Sequence, residues 1–249
     1  MKTRGKAYIR LILRVLMALC ILGILLSAFI LFKDSREHGR GDAAYQQLRL
    51  VKEDIDEVDF RALERINSDS VAWITCEGTE IDYPIVKGRD NIFYLHHLFN
   101  GEPNMLGSIF MDYRNHNDFS DKNTVIYGHN ISDGSMFFSF TKYKKQEYYD
   151  KFPKIQIYTP ACDFTIELFA GIVVKGDYEY VRFKFRDKHD FQNYIDSLIK
   201  KSTFKSKTSV KADDQIVTFS TCTYEFDNAR YLLFGILKPK KNTSYINSP

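Results

Sequence analysis

The chain of 249 residues is 44% hydrophobic with a net charge of +3, enough apolar side chain for one good-sized core and too ordinary a balance for disorder or a collagen-like fibre. The charge is unevenly placed. Residues 1–32 hold five bases (Lys2, Arg4, Lys6, Arg10 and Arg14) and no acid, leaving 30 bases against 32 acids in residues 33–249 and arguing against a nucleic-acid-binding face there.

Val15 to Phe32 is an uncharged run of 18 residues, about 27 Å long as a helix and so able to cross a bilayer core. A cleaved secretory signal is the alternative, but its apolar stretch is normally shorter and ends in small residues. Here Phe29, Ile30, Leu31 and Phe32 continue the run past Ser27 and Ala28, which favours an uncleaved anchor. All five bases precede the span, and the positive-inside tendency then keeps the N-terminus cytoplasmic and residues 33–249 outside the cell. The expected organisation is a basic tip and transmembrane anchor over 1–32, a charged, glycine-bearing spacer over 33–41, and one extracellular domain over 42–249.

Within that domain, Asp42 is placed to cap a helix running through Leu48 and Val51, and Phe60, Leu63 and Ile66 suggest a second helix. From Val71 the pattern turns to short apolar runs broken by Gly, Pro, Asn and Asp: 71–75, 83–86, 108–111, 124–127, 155–158 and 164–174. An aromatic content of 15%, nearly all Phe and Tyr, agrees with β structure, because flat rings pack well on pleated surfaces. Phe191, Tyr194, Ile195, Leu198 and Ile199 then form an amphipathic helical stripe behind a cap at Asp187. Strands at 215–221 and 230–237 close the series, so the class is mainly β with added helices, a barrel or sandwich.

Cys20 lies in the anchor, and Cys76, Cys162 and Cys222 make an odd number outside it, so at least one external thiol stays unpaired. Outside the cell such a thiol is either buried and inert or kept for reactivity. No Cys-x-x-Cys or His-x-x-x-His spacing supports a metal site, and the adjacent His96 and His97 read as surface or groove residues. Cys222 ends its predicted strand. A hairpin through Thr223–Ala229 sets Arg230 beside it, across roughly 4.8 Å of strand spacing, where a guanidinium favours the thiolate. His129 also ends a strand, where a loop frees its imidazole. Spacing alone does not show that His129 meets Cys222.

The segment Thr218-Phe219-Ser220-Thr221-Cys222 resembles the sortase motif Thr-Leu-X-Thr-Cys with Phe for Leu, and Arg230 sits on the following strand as the family arginine does. Tyr127-Gly128-His129-Asn130, the stretch Gly107 to Asn115, and Val71-Ala72-Trp73-Ile74 with Tyr83-Pro84-Ile85 are similar to class B sortases in particular. The resemblance implies an eight-stranded sortase barrel with two N-terminal helices and a helix between its sixth and seventh strands. It implies a cysteine transpeptidase that cleaves a C-terminal sorting motif of surface proteins after Thr, forms a thioacyl intermediate at Cys222, and transfers the acyl group to a peptidoglycan amine. His129 and Arg230 complete the implied catalytic set; Asn91, Leu95, Tyr180, Val181, Ser220 and Thr221 are the implied substrate-lining positions. No cofactor or metal is required by this chemistry.

Other classes predict different patterns. A papain-like endopeptidase carries its Cys at a helix start and before its His, whereas here His129 precedes Cys222. An L,D-transpeptidase has Gly before its nucleophile, where Thr221 stands. A membrane-tethered binding module without catalysis predicts a Cys222 inert to thiol reagents.

Overall fold

Alternating and continuous apolar runs fold where the sequence places them. The computed structural model describes residues 2–54, 57–176 and 180–240, without the side chains of 2–11, 53–54 and 57. The bases Lys2, Arg4, Lys6 and Arg10 of the topology argument therefore have side chains outside the described residues. The chain divides into two units, Met1–Ala43 and Ala44–Pro249.

The first unit is helical. Helix α1 runs Lys2–Arg49 without a break, so the apolar run, the charged stretch 33–41 and the first expected helix are one element, with Asp42 inside it rather than capping it. Gly39 and Gly41 each lower helix propensity by only about 1 kcal/mol, and a Lys33–Glu37 pair one turn apart supports the same stretch. From Ile12 to Phe32 the large apolar side chains are exposed, and the helix is long and apolar enough to cross a membrane.

In the second unit eight strands close a barrel: β1 Ser70–Thr75, β2 Asp82–Val86, β3 Ile109–Met111, β4 Asn123–Tyr127, β5 Lys154–Tyr158, β6 Phe164–Lys175, β7 Ile216–Cys222 and β8 Ala229–Pro239. The order around it is β8-β6-β5-β1-β2-β3-β4-β7, closing between β7 and β8. Two neighbours are parallel, β2 with β3 and β4 with β7; the rest are antiparallel. Closure removes free sheet edges. Gly235 marks the bulge in β8, where a Cβ would lie 2.3 Å from Ile166 Cγ2. Trp73, Phe219, Tyr231 and Phe234 are among the fully buried core side chains.

Helix α2, Phe60–Ile66, is capped by Asp59, whose Oδ1 accepts from Ala62 N at 2.9 Å. Two short elements carried no apolar periodicity in the sequence: a 3-10 helix over Phe138–Lys144 and helix α3, Gln146–Lys151. Helix α4, Lys188–Lys201, lies between the sixth and seventh barrel strands and buries Phe191, Tyr194, Ile195 and Leu198. Ile199, assigned to that stripe, is instead 47% exposed at its edge. Asp187 caps the helix by accepting from Asp190 N at 2.8 Å. Substituting Asp187→Ala should lower unfolding stability by about 1 kcal/mol in urea titrations, with an unchanged denaturant slope; no loss would remove the cap from the account of why α4 starts there.

Candidate active site

The β7–β8 hairpin fixes the first pair. Arg230 is the direct ladder partner of Cys222, as the hairpin expectation requires, and Thr223 N donates to Ala229 O at 3.0 Å just beyond. Cys222 is half-buried and unpaired; Cys76 and Cys162 are unpaired as well. Burial pushes the Cys76 thiol up, which keeps it protonated and inert. The Arg230 guanidinium donates to Ala229 O at 3.0 Å and, among the described residues, has no carboxylate partner.

Strand β4 brings His129 to the same rim. It runs parallel to β7 with Tyr127 opposite Ser220, so both strands end at one end of the barrel. Two further bonds prolong the pairing: Gly128 N donates to Ser220 O at 3.2 Å, and Asn130 Nδ2 donates to Cys222 O at 2.8 Å. The His129 carbonyl accepts from Phe137 N at 2.8 Å, which fixes its backbone from the other side.

The His129 ring is held at Nε2, 2.7 Å from Leu95 O. A carbonyl oxygen only accepts, so Nε2 carries a proton and Nδ1 is the nitrogen that gains or loses one. Burial lowers the His129 pKa from its ordinary value; the Leu95 carbonyl opposes this, and the electrostatic influence of His96 and Arg230 pushes it lower still. The imidazole is therefore mostly neutral near pH 7. Gly107 makes room for this arrangement. At its φ of +59°, a Cβ would stand 2.6 Å from Leu95 O and 3.0 Å from His129 Cδ2.

The other expected positions fall into two groups. Leu95, Ser220 and Thr221 lie beside the rim: Leu95 through its carbonyl, Ser220 and Thr221 as buried residues of β7 just before Cys222. The Thr221 hydroxyl is buried with no hydrogen-bond partner among the described residues. Asn91 is engaged in structure, donating from Nδ2 to the buried Asp112 carboxylate at 2.8 Å and accepting from Tyr113 N at Oδ1. The same carboxylate accepts from Tyr127 Oη at 2.9 Å and from Arg114, so it braces the strand that carries His129. Tyr180 and Val181 pack near α4, where the Tyr180 carbonyl accepts from Tyr194 Oη at 2.6 Å. His97 stacks on Phe93 with ring centroids 3.9 Å apart, while His96 acts on His129 electrostatically. Sequence reasoning gave no role to Asn130, Gly107 or Asp112; their one signal was membership of the segments flanking His129 and β3.

No family model matches the chain. It is similar to sortase B of Listeria monocytogenes, 39% identical over 184 residues covering 73% of this chain and 75% of that protein. Sortase B of Staphylococcus aureus is 32% identical over 193 residues, 76% and 79% of the two chains. Among solved structures, S. aureus sortase B superposes with a TM-score of 0.74 at 30% identity, covering 82% of this chain and 99% of that one, and its substrate complex matches equally well. Clostridium perfringens sortase B gives a TM-score of 0.68 at 35% identity, covering 71% and 98%.

Two outcomes test the site geometry. By NMR, the His129 ring should titrate below its ordinary value of 6.5, and Arg230→Gln, which removes a nearby positive charge, should move the midpoint upward. A wild-type midpoint at or above 6.5 would contradict the electrostatic picture. Gly107→Ala should leave the barrel folded but cut peptide-cleaving activity by about 10²-fold, the scale of a 1 Å misplacement; full activity would show that the Leu95 carbonyl need not stay where it is.

Proposed function

The chain belongs to the class B sortases, cysteine transpeptidases that anchor surface proteins to the cell wall, and we propose that Cys222, His129 and Arg230 perform this chemistry. The observation that carries the assignment is the meeting of three strand ends: β4 and β7 finish in parallel at the rim where β8 begins.

In the first half-reaction the Cys222 thiolate attacks the carbonyl carbon of the Thr in an extended sorting peptide. The carbonyl oxygen takes up the electron pair and accepts hydrogen bonds from the Arg230 guanidinium, which has no carboxylate partner among the described residues. Collapse of the tetrahedral adduct expels the downstream amine, which takes a proton from His129 Nδ1–H, and leaves a thioacyl enzyme. In the second half-reaction an amine of the peptidoglycan attacks the thioester, gives its proton to His129, and restores the Cys222 thiolate as the new amide forms. The Leu95 carbonyl keeps Nε2–H in place throughout, so a single nitrogen handles the proton in both directions.

This cycle uses the imidazolium with the thiolate. The lowered His129 pKa makes the imidazolium scarce near neutral pH, so slow turnover is expected of this site.

Leu95, Ser220 and Thr221 are assigned to the groove wall next to Cys222, with Asn91, Tyr180 and Val181 further out along it. The resting substrate is the sorting peptide of a secreted surface protein; a structure of S. aureus sortase B is described as a substrate complex. The apolar helix, with its exposed side chains from Ile12 to Phe32, is assigned as an uncleaved membrane anchor with a cytoplasmic N-terminus. This holds the enzyme where its substrates cross the membrane and faces the domain toward the wall.

Full-length protein in detergent, incubated with a library of sorting-type peptides with and without an amine acceptor, should cleave one motif and ligate the amine. Cleavage should vanish in Cys222→Ala, fall by about 10² to 10⁴ in His129→Ala, and fall by about 10² to 10³ in Arg230→Ala. Undiminished cleavage by the Cys222 variant would overturn the assignment.

A further inference from the structure

The residue after Cys222 is gripped by side chains that the mechanism above leaves unused. Lys144, at the end of the 3-10 helix Phe138–Lys144, donates from Nζ to Thr223 Oγ1 at 2.5 Å and pairs with the Glu225 carboxylate. The Thr223 hydroxyl in turn donates to Glu225 Oε2 at 2.6 Å. The three groups close a ring: the ammonium donates twice, the hydroxyl accepts once and donates once, and both carboxylate oxygens accept. Such charge-assisted bonds are shorter and stronger than neutral ones. Burial raises the Glu225 pKa, but the bonds from Lys144 and Thr223 outweigh it and hold the carboxyl below its ordinary range.

The ring joins two elements. One is the 3-10 helix, whose Phe140 packs on Phe219 of β7 with ring centroids 5.1 Å apart. The other is the loop from β7 to β8, which is lightly held otherwise: Tyr224 is 80% exposed and Phe226 is 47% exposed. Asn130 already fixes the Cys222 carbonyl from the β4 side. Lys144 fixes the next residue from the 3-10 helix.

We propose that Lys144, Thr223 and Glu225 form a clasp that positions Cys222, setting the direction of its thiol relative to Arg230 and His129 while touching no reacting atom. The inference rests on Cys222 being the nucleophile. It makes the three side chains positioning residues whose loss lowers the rate of acylation more than the binding of peptide. Lys144 and Glu225 are partly exposed, at 29% and 38% of their side chains, so solvent screens the pair and the effect should be moderate.

Steady-state cleavage by the full chain in detergent tests this with a peptide that the wild type cleaves. Lys144→Met and Glu225→Gln should each lower kcat about tenfold with KM within twofold, and the double variant should lose no more than the worse single variant, because the parts act as one unit. Lys144→Arg and Thr223→Ser, which keep the donor and the hydroxyl, should retain most of kcat, whereas Thr223→Val should fall with the others. An unchanged kcat in both single variants, fully multiplying losses in the double, or an effect confined to KM would overturn the clasp. Cys222→Ala run alongside separates the two claims: activity surviving there removes the nucleophile itself, while a dead Cys222 variant beside fully active Lys144 and Glu225 variants removes only the clasp.

Discussion

The parallel pairing of β4 with β7 is the constraint on which the site depends. Antiparallel neighbours put the end of one strand beside the start of the next, but parallel neighbours end together. Here that pairing brings Tyr127 beside Ser220, so the next residues of each strand, Gly128–His129 and Thr221–Cys222, emerge at one rim. The antiparallel β8 starts at the same rim with Arg230. Three strand ends carrying a thiol, an imidazole and a guanidinium then share one rim, and the Asn130 bond to the Cys222 carbonyl ties the two parallel ends beyond the last ladder pair.

The electrostatics of this rim follow from its composition. Arg230 brings a charge that no carboxylate among the described residues pairs with, and His129 sits half-buried where Arg230 and His96 both act on it. These effects oppose the imidazolium that the proposed amine protonation needs, while the same guanidinium is the proposed donor to the oxyanion. In that proposal one cation helps one step and hinders another.

Much of the fold was legible because the signals were local. All eight barrel strands were expected within one or two residues of where they lie, the Asp187 cap of α4 was placed correctly, and the β7–β8 hairpin predicted the Cys222–Arg230 pairing. What was not legible was non-local. The β4–β7 pairing joins segments about ninety residues apart, and nothing in either segment names its partner. Gly39 and Gly41 looked like punctuation yet lie inside α1, because a glycine weakens a helix without ending it. The roles of Gly107 and Leu95 around His129 depend on a backbone carbonyl and an empty Cβ position, which no residue type announces. The same limit applies to Lys144, whose partners lie seventy-nine and eighty-one residues away.

The central claim is that Cys222 carries the acyl group between the two half-reactions. It is tested most directly by acid-quenching the full-length protein during turnover of a cleavable sorting peptide and measuring the mass of each cysteine-bearing digest fragment. The account predicts an added mass equal to the upstream half of the peptide on the fragment containing Cys222, discharged when an amine acceptor is supplied, and none on those containing Cys20, Cys76 or Cys162. Peptide cleavage without a covalent adduct at Cys222, or with the adduct on another cysteine, would contradict it.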